Sequence, residues 1–230
     1  MYQKLQARQN DLGRDISDKI PDTDSLTGLP SLSAFEQRVW QLAAPHLKTR
    51  RNDNHSLFAY GIASALLQSY PDANPDVVLP AILLHDTGWS KIPDDEVLEA
   101  IAPGGGRKDL VLLHEQEGAR IAQEILTELG FPKPLIDEIT EIIDGHDSRM
   151  EALSLNDAIV KDADKIWRVT PAGLDVIMDW FGLSRPEALR LSTSRVHGYL
   201  LTNYGAAMAM AMTCLESMAT TDEVKATLRP

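Results

Sequence analysis

The sequence predicts an all-α protein, and three observations support this class. From Ser31 onward apolar residues recur three and four positions apart, no segment alternates apolar and polar residues as a strand does, and Gly or Pro separates the periodic stretches. We therefore expect a helical bundle. The predicted helices span 31–47, 55–70, 75–87, 94–101, 114–129, 134–146 and 154–169, with several more between 173 and 226.

Three regions are predicted along the 230 residues. Residues 1–30 are polar and broken by glycine and proline, which is typical of a loosely held arm. Residues 31–170 are expected to form a helical core, and residues 171–230 a C-terminal helical extension packed on it. A methionine stripe in the extension indicates core or dimer packing, so a homodimer is possible. Its members are Met178, Met208, Met210, Met212 and Met218.

Composition restricts the partners and the location. The formal net charge is -12, with 34 acidic and 22 basic residues, which disfavours nucleic-acid polymers as partners. No apolar run approaches the roughly 20 residues of a membrane-spanning helix, so no membrane partner is expected. The single cysteine, Cys214, lies among Met and Ala. We expect it to be packed in a protein of a reducing compartment, which indicates the cytoplasm.

Four histidines continue apolar stripes by helical spacing and are predicted to face the protein interior: His55, His85, His114 and His146. Phe58 lies on the stripe of His55, and Gly118, on that of His114, permits a neighbouring element to approach closely. Asp86 follows His85 directly. Burying so many ionisable groups without partners would cost several kcal/mol each. A bound metal cluster removes that cost by coordinating neutral imidazoles and carboxylates.

The helix predicted over 154–169 offers two more acidic side chains to the interior. Asp162 shares a face with Ile159, and Asp164 shares another with Val160. Periodicity alone does not choose between the two carboxylates.

These residues resemble the HD superfamily of metal-dependent phosphohydrolases, whose pattern is a His, a His-Asp pair and a late Asp on separate helices. They match His55, His85-Asp86 and the Asp of "KDADKI" over roughly residues 50–170. The late Asp of that family commonly stands in an Ala-Asp-(Lys/Arg) context, which favours Asp164. The resemblance implies an HD-domain helical bundle, here with additional C-terminal helices.

Two further histidines, His114 and His146, occupy positions that resemble those of the binuclear branch of this superfamily. The resemblance implies two divalent metal ions, drawn from Fe, Mn, Co or Mg, with Asp86 as the bridging ligand. His55, His85 and Asp164 would lie on one side, and His114 and His146 on the other. The pattern departs from many members at Trp89, which stands where they carry a lysine. The Gly-Tyr-Pro signature of the cyclic-di-GMP phosphodiesterases is absent, so that substrate is not implied.

The resemblance implies hydrolysis of a phosphoester in a small metabolite or nucleotide. Asp86 would act in catalysis, and nearby cations would hold the phosphate; the candidates are Lys91, Arg149, Lys165 and Arg51. Some binuclear members are instead mixed-valent di-iron oxygenases that act on small organic or phosphonate substrates with the same six ligands. A non-catalytic nucleotide sensor is a third class. The ligands alone do not separate these functions.

Overall fold

The structure is a computed structural model that describes residues 13–227. Residues 1–12 of the predicted arm and 228–230 of the predicted extension lie outside the described residues. The chain divides into two compact units, residues 1–31 and 32–230. Within the first unit the described residues contain two short 3-10 turns, Ser17–Lys19 and Thr23–Ser25. Residues 13–23 and 25–31 are all exposed.

The second unit is built from α-helices, and no strand occurs between residues 32 and 227. The predicted all-α class is therefore confirmed. The helices are α1 (Ala34–Ala43), α2 (Asn52–Leu67), α3 (Pro75–Leu84), α4 (Asp94–Ile101), α5 (Lys108–Glu128), α6 (Lys133–Ile143), α7 (Leu155–Ile166), α8 (Pro171–Phe181), α9 (Arg185–Val196), α10 (Asn203–Ala219) and α11 (Asp222–Thr227). None of these helices is long and apolar enough to cross a membrane.

Local signals in the sequence set several helix starts. The Asn74 side chain accepts a hydrogen bond from the amide of Asp76 (3.0 Å) at the start of α3, and Ser154 accepts one from the amide of Asp157 (3.2 Å) at the start of α7. Other boundaries differ from the prediction. α5 begins at Lys108 rather than at residue 114, and α3 ends at Leu84 because residues His85–Lys91 wind into a 3-10 helix.

The main apolar core lies among α1, α2, α3, α5, α6 and α7. The three helices α8, α9 and α10 each contribute to this same core, so the C-terminal helices pack directly on the helices that precede them. Their contributions are Val176, Val196 and Ala209. This packing brings α8 and α9 against the segment that follows α7, which positions them beside the candidate site.

Two predicted core positions are exposed. Phe58 is 45 % exposed, because the buried face of α2 is centred on Ala59, Ile62 and Leu66 and Phe58 lies at its edge; its predicted burial was wrong. Cys214 is exposed as well, contrary to its predicted packing.

The methionines of α10 divide between two faces. Met208 and Met212 pack against the core, whereas Met210 and Met218 are exposed. The subunit contact expected for this stripe stays a prediction.

Candidate metal centre

Six side chains from five structural elements converge at one end of the helical core. His55 lies in the first turn of α2, and His85 and Asp86 begin the 3-10 helix after α3. The others lie in α5, in the turn after α6 and in α7. Each of the six residues is at most 7 % exposed: His55, His85, Asp86, His114, His146 and Asp164.

The Asp86 carboxylate lies between two pairs of histidines. Its Oδ2 is 3.2 Å from Nε2 of His55 and 3.5 Å from Nε2 of His85. Its Oδ1 is 3.6 Å from Nε2 of His146 and 3.9 Å from Nε2 of His114. Each oxygen therefore faces one histidine pair.

Asp164 completes the first of these two groups. Its Oδ1 lies 3.2 Å from Nε2 of His55 and 3.7 Å from Nε2 of His85. Asp162 points elsewhere: its carboxylate accepts hydrogen bonds from the amides of Leu201 and Thr202, each at 2.8 Å. The tertiary structure thus selects Asp164 for the cluster and gives Asp162 an anchoring role before α10.

Asp147 completes the second group. Its Oδ2 is 3.7 Å from Nε2 of His114 and 3.8 Å from Nε2 of His146, and together these three residues offer donor atoms close enough for one metal ion. The sequence left two roles open for Asp147, orienting a neighbouring ligand or capping a turn.

Hydrogen bonds fix the orientation of two of the imidazoles. Nδ1 of His85 donates to the carbonyl of Ile82, and Nδ1 of His146 donates to that of Ile143, both at 2.8 Å. A proton on Nδ1 leaves the Nε2 lone pair of the neutral ring directed at the cluster, which is the usual arrangement of a metal-ligating histidine.

The carboxylates and imidazoles shift one another's protonation. Burial alone would lower the pKa of His55, but hydrogen bonds to Asp164 and Asp86 outweigh burial and raise the pKa to about 9. Burial likewise opposes protonation of His146, while its hydrogen bond to Asp86 and the charge of Asp147 raise that pKa to about 9. His114 differs, since burial and the neighbouring His146 lower its pKa to about 4. A metal ion must therefore compete with protons at His55 and His146.

Comparison with known families agrees with this arrangement. The model of the HD domain matches residues 52–168, a segment that contains all six converging residues. The chain belongs to the HD-domain family. No curated protein and no solved structure matches the chain significantly. HD-domain proteins are mostly metal-dependent hydrolases, and the clustered His and Asp side chains fit a metal centre.

Two glycines bring the HD pair His85-Asp86 against α5. A Cβ on Gly88 would lie 1.8 Å from the carbonyl oxygen of His114, and a Cβ on Gly118 would lie 2.9 Å from that of His85. Both distances are shorter than real Cβ contacts, so a side chain at either position would force the two backbones apart. The approach predicted for Gly118 is confirmed, and it lets residues of two elements share one cluster.

Two buried charges hold the turn that carries His146. Nζ of Lys161 donates to the carbonyls of Gly145, His146 (3.2 Å) and Arg149 (2.8 Å). From the other side, Oε1 of Glu115 accepts from the amides of Asp147 (2.8 Å) and Ser148 (2.7 Å). The sequence analysis singled out neither residue. Glu115 directly follows the predicted ligand His114, and Lys161 is a charged residue within the predicted helix 154–169.

Trp89 supports the HD pair from within the same 3-10 helix. Its Nε1 donates to Oδ1 of Asp86 at 3.0 Å, and its ring stacks on His114 with centroids 3.9 Å apart. The residue in the place of the family's lysine thus orients one ligand and packs on another.

The cluster opens into a cavity whose lining includes His55, Asp86 and Asp164. Three arginines line it: Arg50, Arg168 and Arg195. Arg168 lies closest to the cluster, with Nη1 3.4 Å from Oδ2 of Asp164. Arg168 follows Asp164 by four residues, a spacing that places two side chains on the same face of a helix. The sequence therefore contained a signal for this pair.

The cations chosen from sequence adjacency do not line this cavity. Nη2 of Arg149 pairs with the buried Asp157 at 3.1 Å, Nζ of Lys165 is 3.5 Å from the carbonyl of Lys161, and Lys91 is exposed. A catalytic role for these three cations stays a prediction, since adjacency in the sequence does not decide which way a side chain points.

Upstream of His55 it is Arg50, not Arg51, that lines the cavity. Both residues adopt positive φ angles, 49° and 63°, a conformation that non-glycine residues hold only when surrounding contacts demand it. The left-handed turn carries Arg50 toward the site and leaves Arg51 exposed.

Proposed function

We propose that this HD-domain protein hydrolyses a phosphoric ester of a small molecule with two divalent metal ions. The position of Asp86, with one oxygen toward each histidine pair, carries the proposal, because a carboxylate in that position can bridge two ions. His55, His85 and Asp164 would hold one ion, and His114 and His146 the other.

Bound cations would explain the arrangement of these side chains better than a cluster without cations does. Nε2 of His55 and Nε2 of His85 are 2.9 Å apart, so without a shared proton or cation their lone pairs repel. Nε2 of His114 and Nε2 of His146 are likewise 3.3 Å apart. Imidazole-rich donor sets suit ions such as Fe, whereas Mg and Mn prefer oxygen ligands.

Each part of the site has a separate role in hydrolysis. When bound, two divalent ions lower the pKa of water at the cluster and neutralise charge on a phosphate. Arg168 and Arg50 hold non-ester oxygens of the phosphate, and Asp164 fixes Arg168 through their ion pair. Water adds to phosphorus, the ester P–O bond breaks, and an alcohol and inorganic phosphate leave.

The charges of the molecule support a small anion as the substrate. A net charge of -12 repels polyanions at long range, while the three arginines of the cavity attract an anionic group at short range. A phosphorylated metabolite or a nucleotide satisfies both conditions.

Metal analysis and a phosphatase assay test the proposal together. Protein purified without chelator should contain about two first-row metal ions per chain and release phosphate from p-nitrophenyl phosphate. Asp86→Asn should lose both properties, whereas Asp95→Asn, an exposed residue of α4, should keep both. Iron-dependent O2 consumption without phosphate release would replace hydrolysis by the oxygenase chemistry of other binuclear HD proteins.

A further inference from the structure

Part of the cavity wall comes from helices beyond the HD match. Residues of α8 and α9 form this wall, which lies C-terminal to the matched segment 52–168. We call it the distal wall; its residues are Ile177, Trp180, Phe181, Leu191, Ser192 and Arg195. Because the family match ends before it, the family chemistry does not account for these side chains.

A row of aromatic rings leads from the cluster to the distal wall. The ring of Trp167 packs edge-on against His55 with centroids 4.5 Å apart. Trp180 lies 6.5 Å from Trp167, and Phe181 lies 6.3 Å from Trp180, centroid to centroid. Trp180 and Phe181 are partly exposed to the cavity and to solvent, so they offer apolar ring surface to a bound molecule.

Two buried polar atoms beside these rings lack partners. Nε1 of Trp167 and Oγ of Ser192 make no hydrogen bond within residues 13–227, although Trp167 is 4 % exposed and Ser192 is 1 % exposed. Buried polar atoms without partners cost free energy and require an explanation. Both residues line the cavity, but these two atoms are themselves covered by protein, so the side of the cavity formed by α8 and α9 presents mainly apolar surface.

Like charges also meet at this side of the cavity. Arg195 lies at the mouth, where its guanidinium is 3.4 Å from the carbonyls of Ile101 and Ala102. Partial desolvation and the charge of Arg168 lower the pKa of Arg195. Two guanidinium groups in one cavity repel each other unless an anion lies between them.

We propose that the distal wall binds the organic group of the substrate, and that this group is a flat, largely apolar ring. The proposal rests on the hydrolase function proposed above and adds its substrate class: an aryl-type phosphoric ester. The phosphate binds between Arg168 and the metal cluster, and the ring packs against Trp180 and Phe181. Arg195, at the mouth of the cavity, then interacts with the phosphate from the side opposite Arg168.

Binding of two phosphonates separates ring recognition from catalysis. By titration calorimetry on the metal-loaded protein, phenylphosphonate should bind at least about tenfold more tightly than methylphosphonate. Trp180→Leu should remove that preference and leave the affinity for methylphosphonate unchanged. Trp40→Leu, a tryptophan of α1 outside the cavity, should keep the preference. Equal affinities for the two phosphonates in the unmodified protein, or no binding of either, would overturn the proposal.

Turnover of phenyl phosphate and methyl phosphate distinguishes this proposal from the hydrolase function. If phenylphosphonate is preferred but neither ester is hydrolysed, the ring subsite stands and the hydrolase function fails. If both esters are hydrolysed with equal kcat/KM and both phosphonates bind equally, the hydrolase function stands and the ring subsite fails.

Discussion

Lys161 holds His146 in place through the main chain: its Nζ lies 3.2 Å from the carbonyl oxygen of His146 and is wholly buried. The same ammonium group donates to the carbonyls of Gly145 and Arg149. A lysine of α7 thus fixes the turn after α6, so one buried charge decides where a candidate ligand from another element lies.

Replacing Lys161 by Met should therefore impair the half of the site that contains His146. Three carbonyls lose their donor, which we expect to lower the free energy of unfolding by about 1–3 kcal/mol. Metal content should fall from about two ions per chain to about one. Lys165→Met, four residues along α7, is the matched control, since Lys165 is only 3.5 Å from one carbonyl. Unchanged metal content in Lys161→Met would contradict this role.

Metal binding should release protons at neutral pH. The pKa values of His55 and His146 are both raised to about 9 in the metal-free cluster, so both rings carry an extra proton at pH 7, whereas His114 does not. We expect about two protons released per chain at pH 7 and almost none above pH 10. Calorimetry in buffers of different ionisation enthalpy measures this number; the same heat in every buffer at pH 7 would contradict it.

The same shifts predict how pH affects the stability of the metal-free protein. A histidine whose pKa is raised from 6.5 to about 9 on folding stabilises the fold fully below pH 6.5. That stabilisation is lost as pH rises through 9. Denaturant titrations of chelated protein should show this fall, and His146→Gln should reduce it. The matched control, His46→Gln, lies outside the cluster and should not.

Arg168 and Arg149 should differ in what their loss affects. Arg168→Met should raise KM for a phosphoester about tenfold or more with unchanged metal content, because the side chain lies in the cavity beside Asp164. Arg149→Met should leave KM unchanged and lower stability, because it removes one of the partners of the buried Asp157. Steady-state kinetics and thermal unfolding of both variants check this; a raised KM in Arg149→Met alone would restore the role predicted from sequence adjacency.

Gly118→Ala should disturb the metal cluster by moving α5 away from the His85-Asp86 pair. The added Cβ would lie 2.9 Å from the carbonyl oxygen of His85 and 3.3 Å from Cγ2 of Ile143, so α5 and the HD pair must move apart. We expect a loss of about 1–3 kcal/mol in the free energy of unfolding and weaker metal binding. Gln116→Ala, at an exposed position of the same helix, is the control. Wild-type metal affinity in Gly118→Ala would show that the close approach does not matter.

The sequence by itself determined the helical class and much of the candidate cluster. Apolar periodicity fixes which face of a helix is buried, and this alone assigns His55, His85, His114 and His146 to the interior. The Ala-Asp-Lys context favoured Asp164, and the structure brings that residue to the cluster. The same reasoning failed for Phe58 and Cys214, because the edge of a stripe is buried only if another element covers it.

Only the tertiary structure decided which charges face the site and which support it. Lys161 and Glu115 support a turn that belongs to another element, and Arg195 enters the cavity from α9. Such relations depend on how helices far apart in sequence pack together, and periodicity within one helix carries no information about its neighbours. Adjacency in sequence therefore suggested Arg149 and Lys165, while packing supplied Arg168, Arg50 and the distal wall.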